Sequence, residues 1–191
     1  MTRTPLPSPT ARLRFAQIGP RWAQQLYDLN CDPAVIRYAG GDIPFVSVVQ
    51  AREFAEAYSA YEDTGMGRWI VLYHPSAPSD QLKTQGAKQP DNGIFVGWCG
   101  LKIETHGLVD LGYRFLKKYW GLGIATEASR ACLHHGFTTL NLPRIVAHAA
   151  DENIASWKVL EKLGFTHVHT GDYDNLKNYR YYELNRDQYR P

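Results

Sequence analysis

The chain is short of cysteine, of long apolar runs and of net charge, and each shortage removes a class of protein. Its three cysteines, Cys31, Cys99 and Cys132, are odd in number and form no CxxC pair, which argues against a disulfide framework and a zinc site. They read as small buried hydrophobes. No stretch approaches the roughly 20 apolar residues that cross a bilayer. The amino terminus, MTRTPLPSPTARLRF, carries basic residues with no apolar segment behind them, so it does not read as a secretory signal. The expectation is a cytoplasmic protein with no membrane partner. A formal charge of +2, with lysines and arginines scattered instead of striped, gives no footprint for nucleic acid. His134 and His135 are neighbours on a helix, and His167 and His169 alternate on a strand and are spaced to share a face. No third ligand is spaced beside either pair, and no metal is expected.

What is present suits one globular domain: 191 residues, 44% hydrophobic and 21% charged. Residues 1–9 read as a flexible leader. Alternating Leu13, Phe15 and Gln17 predict a first strand, and Trp22, Leu26 and Leu29 follow at helical spacing. Ser47 and Gln50 are spaced as a capping box ahead of Ala51, Phe54, Tyr58 and Tyr61, which predicts one helix running to the Gly65–Gly67 turn. WIVLY (69–73) and IFVGWCGLKI (94–103) read as strands of a hairpin whose long tip, 74–92, is polar, aperiodic and mobile. From His106 the order is a strand (108–115), a glycine turn, a helix from Ala125 to about Leu140, a strand (145–149), a helix from Asn153 to Leu163 with Gly164 as its left-handed cap, and two strands around Val168 and Tyr181.

The glycine turn lies in YWGLGIATEA, from Tyr119 to Ala128. Amides at a helix mouth have no partners inside the helix and carry the positive end of its dipole, so the turn reads as a phosphate cradle. A Walker loop needs Lys-Ser/Thr after its last glycine, and Ile124-Ala125 stand there instead. A Rossmann turn is imitated by Gly121, Gly123 and Thr126, but the next strand ends in Ala149-Ala150-Asp151 and the unit opens late in the chain. That oxidoreductase reading would require nicotinamide binding.

The third design is a resemblance. Trp120, Gly121, Leu122, Gly123, Ile124 and Ala125 match the Gln/Arg-x-x-Gly-x-Gly/Ala turn of the GNAT superfamily of N-acetyltransferases, with Trp where the pattern has Gln or Arg. DLGYRFLKKYWGLGIATEA followed by RIVAHAADENIASWKVLEKLGF resembles the two core motifs of that superfamily in order and spacing. The chain is more narrowly similar to its RimJ/RimL-type branch, which acts on ribosomal-protein N termini. Weaker similarity in ARLRFAQI, DPAVIRYAGG and FVGWCGL extends it to nearly the whole chain.

The resemblance implies an α+β three-layer fold: a mixed, mostly antiparallel sheet of about seven strands, about four helices, and a splayed central strand pair. It implies one acetyl-CoA-dependent domain over 1–191, with acetyl-CoA as co-substrate and an amine as the other partner. The acceptor is a protein N terminus or a small amine or amino acid. The pyrophosphate would lie on the amides of Gly121 to Thr126, with Phe115 and Leu116 along the pantetheine and the Phe115 amide as oxyanion donor. Asn153 and Ser156 would contact the coenzyme and Lys158 is placed to reach its phosphates. The plainer reading of Asn153 is a helix N-cap, and the two are compatible.

Direct attack of an amine on a thioester needs a base, an oxyanion donor and a proton for the leaving thiolate. Asp110 is the candidate base, with Glu104 and His106 close behind it in sequence. The tyrosine that relatives place seven residues after the Asn is Leu160 here, so Ser156 is the candidate acid. Glu127 reads as a partner of the helix dipole, and Tyr38 is the residue named for the acceptor pocket. An acyl-CoA-binding module without catalysis is the alternative, and exposed aromatics in the last hairpin suit a homodimer.

Overall fold

The computed structural model describes residues 5–38, 44–75, 93–104, 107–173 and 176–191. The start of the leader, nearly all of the 74–92 tip and His106 lie outside them. Seven strands, β1 (Leu13–Ala16), β2 (Arg68–Tyr73), β3 (Ile94–Ile103), β4 (Val109–Phe115), β5 (Arg144–Ala150), β6 (Thr166–Tyr173) and β7 (Leu176–Asn185), form one sheet in the order β1-β2-β3-β4-β5-β7-β6. Every neighbouring pair is antiparallel except β4 and β5. Four helices have nine residues or more: α1 (Ala23–Cys31), α3 (Val48–Glu56), α5 (Ile124–His134) and α6 (Ile154–Lys162). Two short ones, α2 (Pro33–Ile36) and α4 (Ala60–Thr64), also form, and a π-helical turn (His135–Thr139) continues α5.

Strand alternation sorts the core into two layers. One face of the sheet, with Trp69, Val71, Cys99, Leu101 and Leu111, packs on Ile124, Ala128, Cys132 and Leu133 of α5 and on Leu160 of α6. The other face, with Ile70, Leu72 and Phe95, takes Leu26 and Leu29 of α1 and Ala55 of α3. That second helical layer lies over β1 to β3. Cys99 and Cys132 are fully buried free thiols, as a reading of them as small hydrophobes requires.

The single helix expected from Ser47 to Gly65 is two. Ser47 does cap α3, its Oγ accepting from Gln50 N at 3.2 Å, while the Gln50 side chain accepts from Val46 N. The chain then breaks at Ala57–Ser59. Tyrosine hydroxyls in and after the break serve main-chain groups at and near strand ends: Tyr58 accepts from Arg68 N at 2.7 Å, and Tyr61 accepts from Ile18 N and donates to Arg68 O. Meeting those main-chain groups reorients α4 without disturbing the apolar spacing. A second difference concerns His167 and His169. A bulge lies between them, so His167 pairs with core Tyr182 and His169 with Tyr181, whose side chains point to opposite faces.

Candidate active site between two diverging strands

β4 and β5 are each seven residues long, yet they pair at one position, Asp110 with Val146. Beyond it they diverge. Leu116 N donates to Val96 O at 2.9 Å, so alternation directs the amides of Arg114 and Gly112 to β3 and those of Phe115 and Tyr113 into the gap. Gly97 marks the tightest approach on the β3 side. It sits at a β2–β3 bulge with φ +148, and a Cβ there would lie 2.1 Å from Arg114 O.

At the open end stands the mouth of α5. Gly121 and Gly123 both have left-handed φ, and Gly123 is an N-cap with no side-chain cap bond. The first helical bond is Glu127 N to Gly123 O, so the amides of Ile124, Ala125 and Thr126 precede any acceptor within the helix. α6 differs, because Asn153 Oδ1 accepts from Ser156 N at 3.3 Å. Asn153 is thus the N-cap of the plainer reading. Lys158 is exposed, its ammonium 5.9 Å from the Trp157 ring.

Trp120, where the motif has Gln or Arg, donates its indole N–H to Phe115 O at 2.7 Å and stitches the turn to the end of β4. Leu122 O accepts from Arg12, whose guanidinium also holds Glu127 at 2.6 Å. Thr10 and the Arg12 amide donate to the same carboxylate. Burial works against the charged Glu127, but these donors outweigh it and hold its pKa below the usual carboxylate range. Glu127 therefore anchors the first strand beside the cradle, a more specific duty than serving the helix dipole.

On the face of the sheet that bears α1, a polar row drawn from three strands spans β2 to β5. Arg68 of β2 donates to Asp110 Oδ2 at 2.6 Å and to Gly100 O at 2.6 Å. His148 of β5 brings Nδ1 to 3.7 Å from Asp110 Oδ1, longer than a hydrogen bond. Asp110 is 8% exposed, not solvated as an acid at a strand edge usually is. Burial opposes its charge, yet the Arg68 guanidinium and the His148 ring keep its pKa lowered. Beside His148 opens a cavity of about 210 Å³ lined by Glu104, Val146, His169 and three tyrosines, Tyr173, Tyr179 and Tyr181. The Tyr173 ring stacks on His148 at 3.7 Å and its hydroxyl donates to Glu104. Burial and the neighbouring Glu183 push the Tyr181 hydroxyl up to about 12. Tyr38, half-buried under Arg37, does not line this cavity.

On the opposite face, Tyr113 Oη donates to Ser156 O at 2.9 Å and lies 3.0 Å from Ser156 Oγ. Leu160, 1% exposed, is core. Of the residues named from the sequence, the glycine turn and Phe115 lie at the open end of the gap, Ser156 meets Tyr113, and Asp110 joins Arg68 and His148. Sequence reasoning missed Arg12, Arg68, Tyr113 and His148, none of which carries a local signal.

Comparison with known proteins agrees with this architecture. The family model of the acetyltransferase (GNAT) domain matches residues 12–166, and the chain belongs to that family. It is an acetyltransferase, of a family that uses acetyl-CoA. It is 30% identical over 158 residues to the uncharacterized N-acetyltransferase p20 of Bacillus licheniformis, covering 82% of this chain and 80% of that one. It is 26% identical over 170 residues to FsC-acetyl coenzyme A-N(2)-transacetylase of Aspergillus fumigatus, covering 84% and 65%. Spermidine N-acetyltransferase from Vibrio cholerae, solved with CoA and spermine, shares the fold at a TM-score of 0.71 with 16% identity, over 94% of this chain and 99% of that one. Among the described residues no helix is long and apolar enough to cross a membrane, and no three His, Cys, Asp or Glu gather as metal ligands.

Proposed function

We propose that the protein transfers the acetyl group of acetyl-CoA directly to a primary amine seated in the cavity beside His148. The observation that carries this reading is the single pairing of β4 with β5. It leaves a gap with an uncapped helix mouth at its open end and the Asp110–His148 pair at its closed end. The pyrophosphate of the coenzyme rests on the amides of Gly121 to Thr126, Lys158 reaches its phosphates, and its pantetheine runs past Phe115 and Leu116 toward Asn153 and Ser156. The Phe115 amide receives the thioester oxygen as charge develops on it.

Asp110 is not the proton acceptor in this reading. With Arg68 on one oxygen, the carboxylate faces His148 Nδ1 at 3.7 Å across the other and leaves Nε2 for the amine. The amine attacks the carbonyl carbon as its proton passes to His148. The cavity's volume suits a small amine or the first residue of a polypeptide. An N-terminal substrate is supported by a relative from Bacillus subtilis, the putative ribosomal N-acetyltransferase YdaF, 31% identical over 120 residues, which covers 52% of this chain and 64% of that one.

The test is thiol release from acetyl-CoA with a panel of small amines and short peptides. The expected result is amine-dependent release that falls by about 100-fold in His148→Gln. A protein that binds acetyl-CoA but turns over no amine would be the non-catalytic module.

A further inference from the structure

The leaving thiolate needs stabilisation opposite the base, and α6 has no tyrosine to give it, since Leu160 is core and Ser156 is the one hydroxyl on that helix. A second hydroxyl arrives from another element. Tyr113 of β4 projects from the α5/α6 face of the sheet, its own amide directed into the gap, and meets Ser156 across the divergence of the strands. Ser156 is thereby held at three atoms: its amide by Asn153, its carbonyl by Tyr113, and its hydroxyl by Tyr113 again. Two hydroxyls carry two protons. The one on Tyr113 is placed on Ser156 O; the one on Ser156 lies against Tyr113 Oη and is free to rotate toward whatever enters the gap.

We infer that Tyr113 is the positioning residue that aims the hydroxyl of Ser156, the candidate acid, at the departing sulfur. The inference rests on the proposed acetyl transfer. In that step the amine nitrogen forms the C–N bond and the carbonyl electron pair moves onto oxygen. The C=O bond then re-forms, the C–S bond breaks and its electron pair stays on sulfur, where the Ser156 proton meets it. The amine proton leaves through His148 to solvent, and solvent returns one to give the free thiol. Burial raises the Tyr113 pKa well above the usual tyrosine range, although its contact with Ser156 works the other way. Tyr113 therefore stays protonated and holds the Ser156 carbonyl at every working pH. Its role is aim, not proton transfer.

The test compares Tyr113→Phe and Ser156→Ala on acetyl-CoA and on its selenium analogue, the same acetyl group on a coenzyme whose selenolate is a much better leaving group. With acetyl-CoA, each variant is expected to lose about 100-fold in kcat with KM for acetyl-CoA within about twofold, and the double variant to lose no more than either alone. With the selenoester, both variants should run within about threefold of the wild type, a rescue that a merely structural role for Tyr113 would not give. Equal slowing on both donors, or an unslowed Tyr113→Phe, overturns the inference. Tyr113→Phe keeps the ring, and Ser156→Ala removes a single hydroxyl, so both variants fold. Failure of the proposed function is a separate result: a wild type that acetylates no amine with either donor.

Discussion

Replacing Arg68 by Met removes the cation that neutralises Asp110 while keeping an apolar stem of similar reach. The guanidinium makes three bonds, to Asp110 Oδ2, Asp110 O and Gly100 O. It rests on Gly112, where a Cβ would come within 2.7 Å of it. Losing one partner of a buried pair costs about 3–5 kcal/mol, because the other charge stays buried. For a chain of this size the melting temperature moves about 2–4 °C per kcal/mol, so the expected drop is about 6–20 °C. The pH dependence has a definite sign. In the wild type Asp110 titrates below its unfolded value, so its contribution is fully present above about pH 4 and is lost as pH falls through the folded value. In Arg68→Met burial dominates and the folded value rises, so the deficit is largest near pH 7 and shrinks toward about pH 5 as the carboxyl takes up its proton. Calorimetry at the two pH values measures this. A drop under about 2 °C near pH 7, or a deficit independent of pH, would refute the account of Asp110 as a buried carboxylate held by Arg68. Arg68→Met with Asp110→Leu, which removes both charges, is expected to regain most of the loss.

Other perturbations separate the parts of the site. Gly123→Ala meets nothing closer than Arg12 at 3.6 Å, so its cost is the left-handed backbone alone, about 1–2 kcal/mol, whereas Gly97→Ala drives a Cβ into Arg114 O and yields no stable fold; chemical denaturation distinguishes them. Arg12→Ala unmasks the Glu127 carboxylate beside the cradle, and CoA affinity measured by calorimetric titration should fall about tenfold and recover when Glu127→Gln is added. Trp120→Phe keeps a ring but loses the bond to Phe115 O, an expected loss of about 1 kcal/mol in thermal stability.

What the sequence discloses depends on how far apart in the chain the cooperating residues lie. β3 occupies the very residues of the run IFVGWCGLKI, because a β-rich segment bounded by turn residues is a local signal. The cradle is equally local, since two glycines a residue apart demand left-handed turns at a helix mouth. The break between α3 and α4 stayed hidden because Ala51, Phe54, Tyr58 and Tyr61 keep a helical rhythm across it, although Phe54 is exposed and Ala55 is the buried residue, while the hydroxyls of Tyr58 and Tyr61 answer to Arg68 of a strand. Arg68, Asp110 and His148 come together only through strand order and register, and a single sequence carries no record of which strands pair. The same holds for Tyr113 and Ser156, 43 positions apart. Their residue types are ordinary; their proximity is what makes them chemistry.

The lone rung between β4 and β5 has a mechanical consequence. Everything up to Phe115 builds one blade of the sheet and everything from Arg144 builds the other. With almost no ladder between them, the blades are kept together by α5, packed on β3 and β4, and by α6, which touches both α5 and β5. The width of the gap is then set by side-chain packing between two helices that themselves carry the glycine turn and Ser156, and small changes in that packing retune the site. A chain cut in the turn at Leu140–Pro143 would leave each fragment with whole strands and half of the site. A coenzyme lying across both halves would act as the fastener that rejoins them.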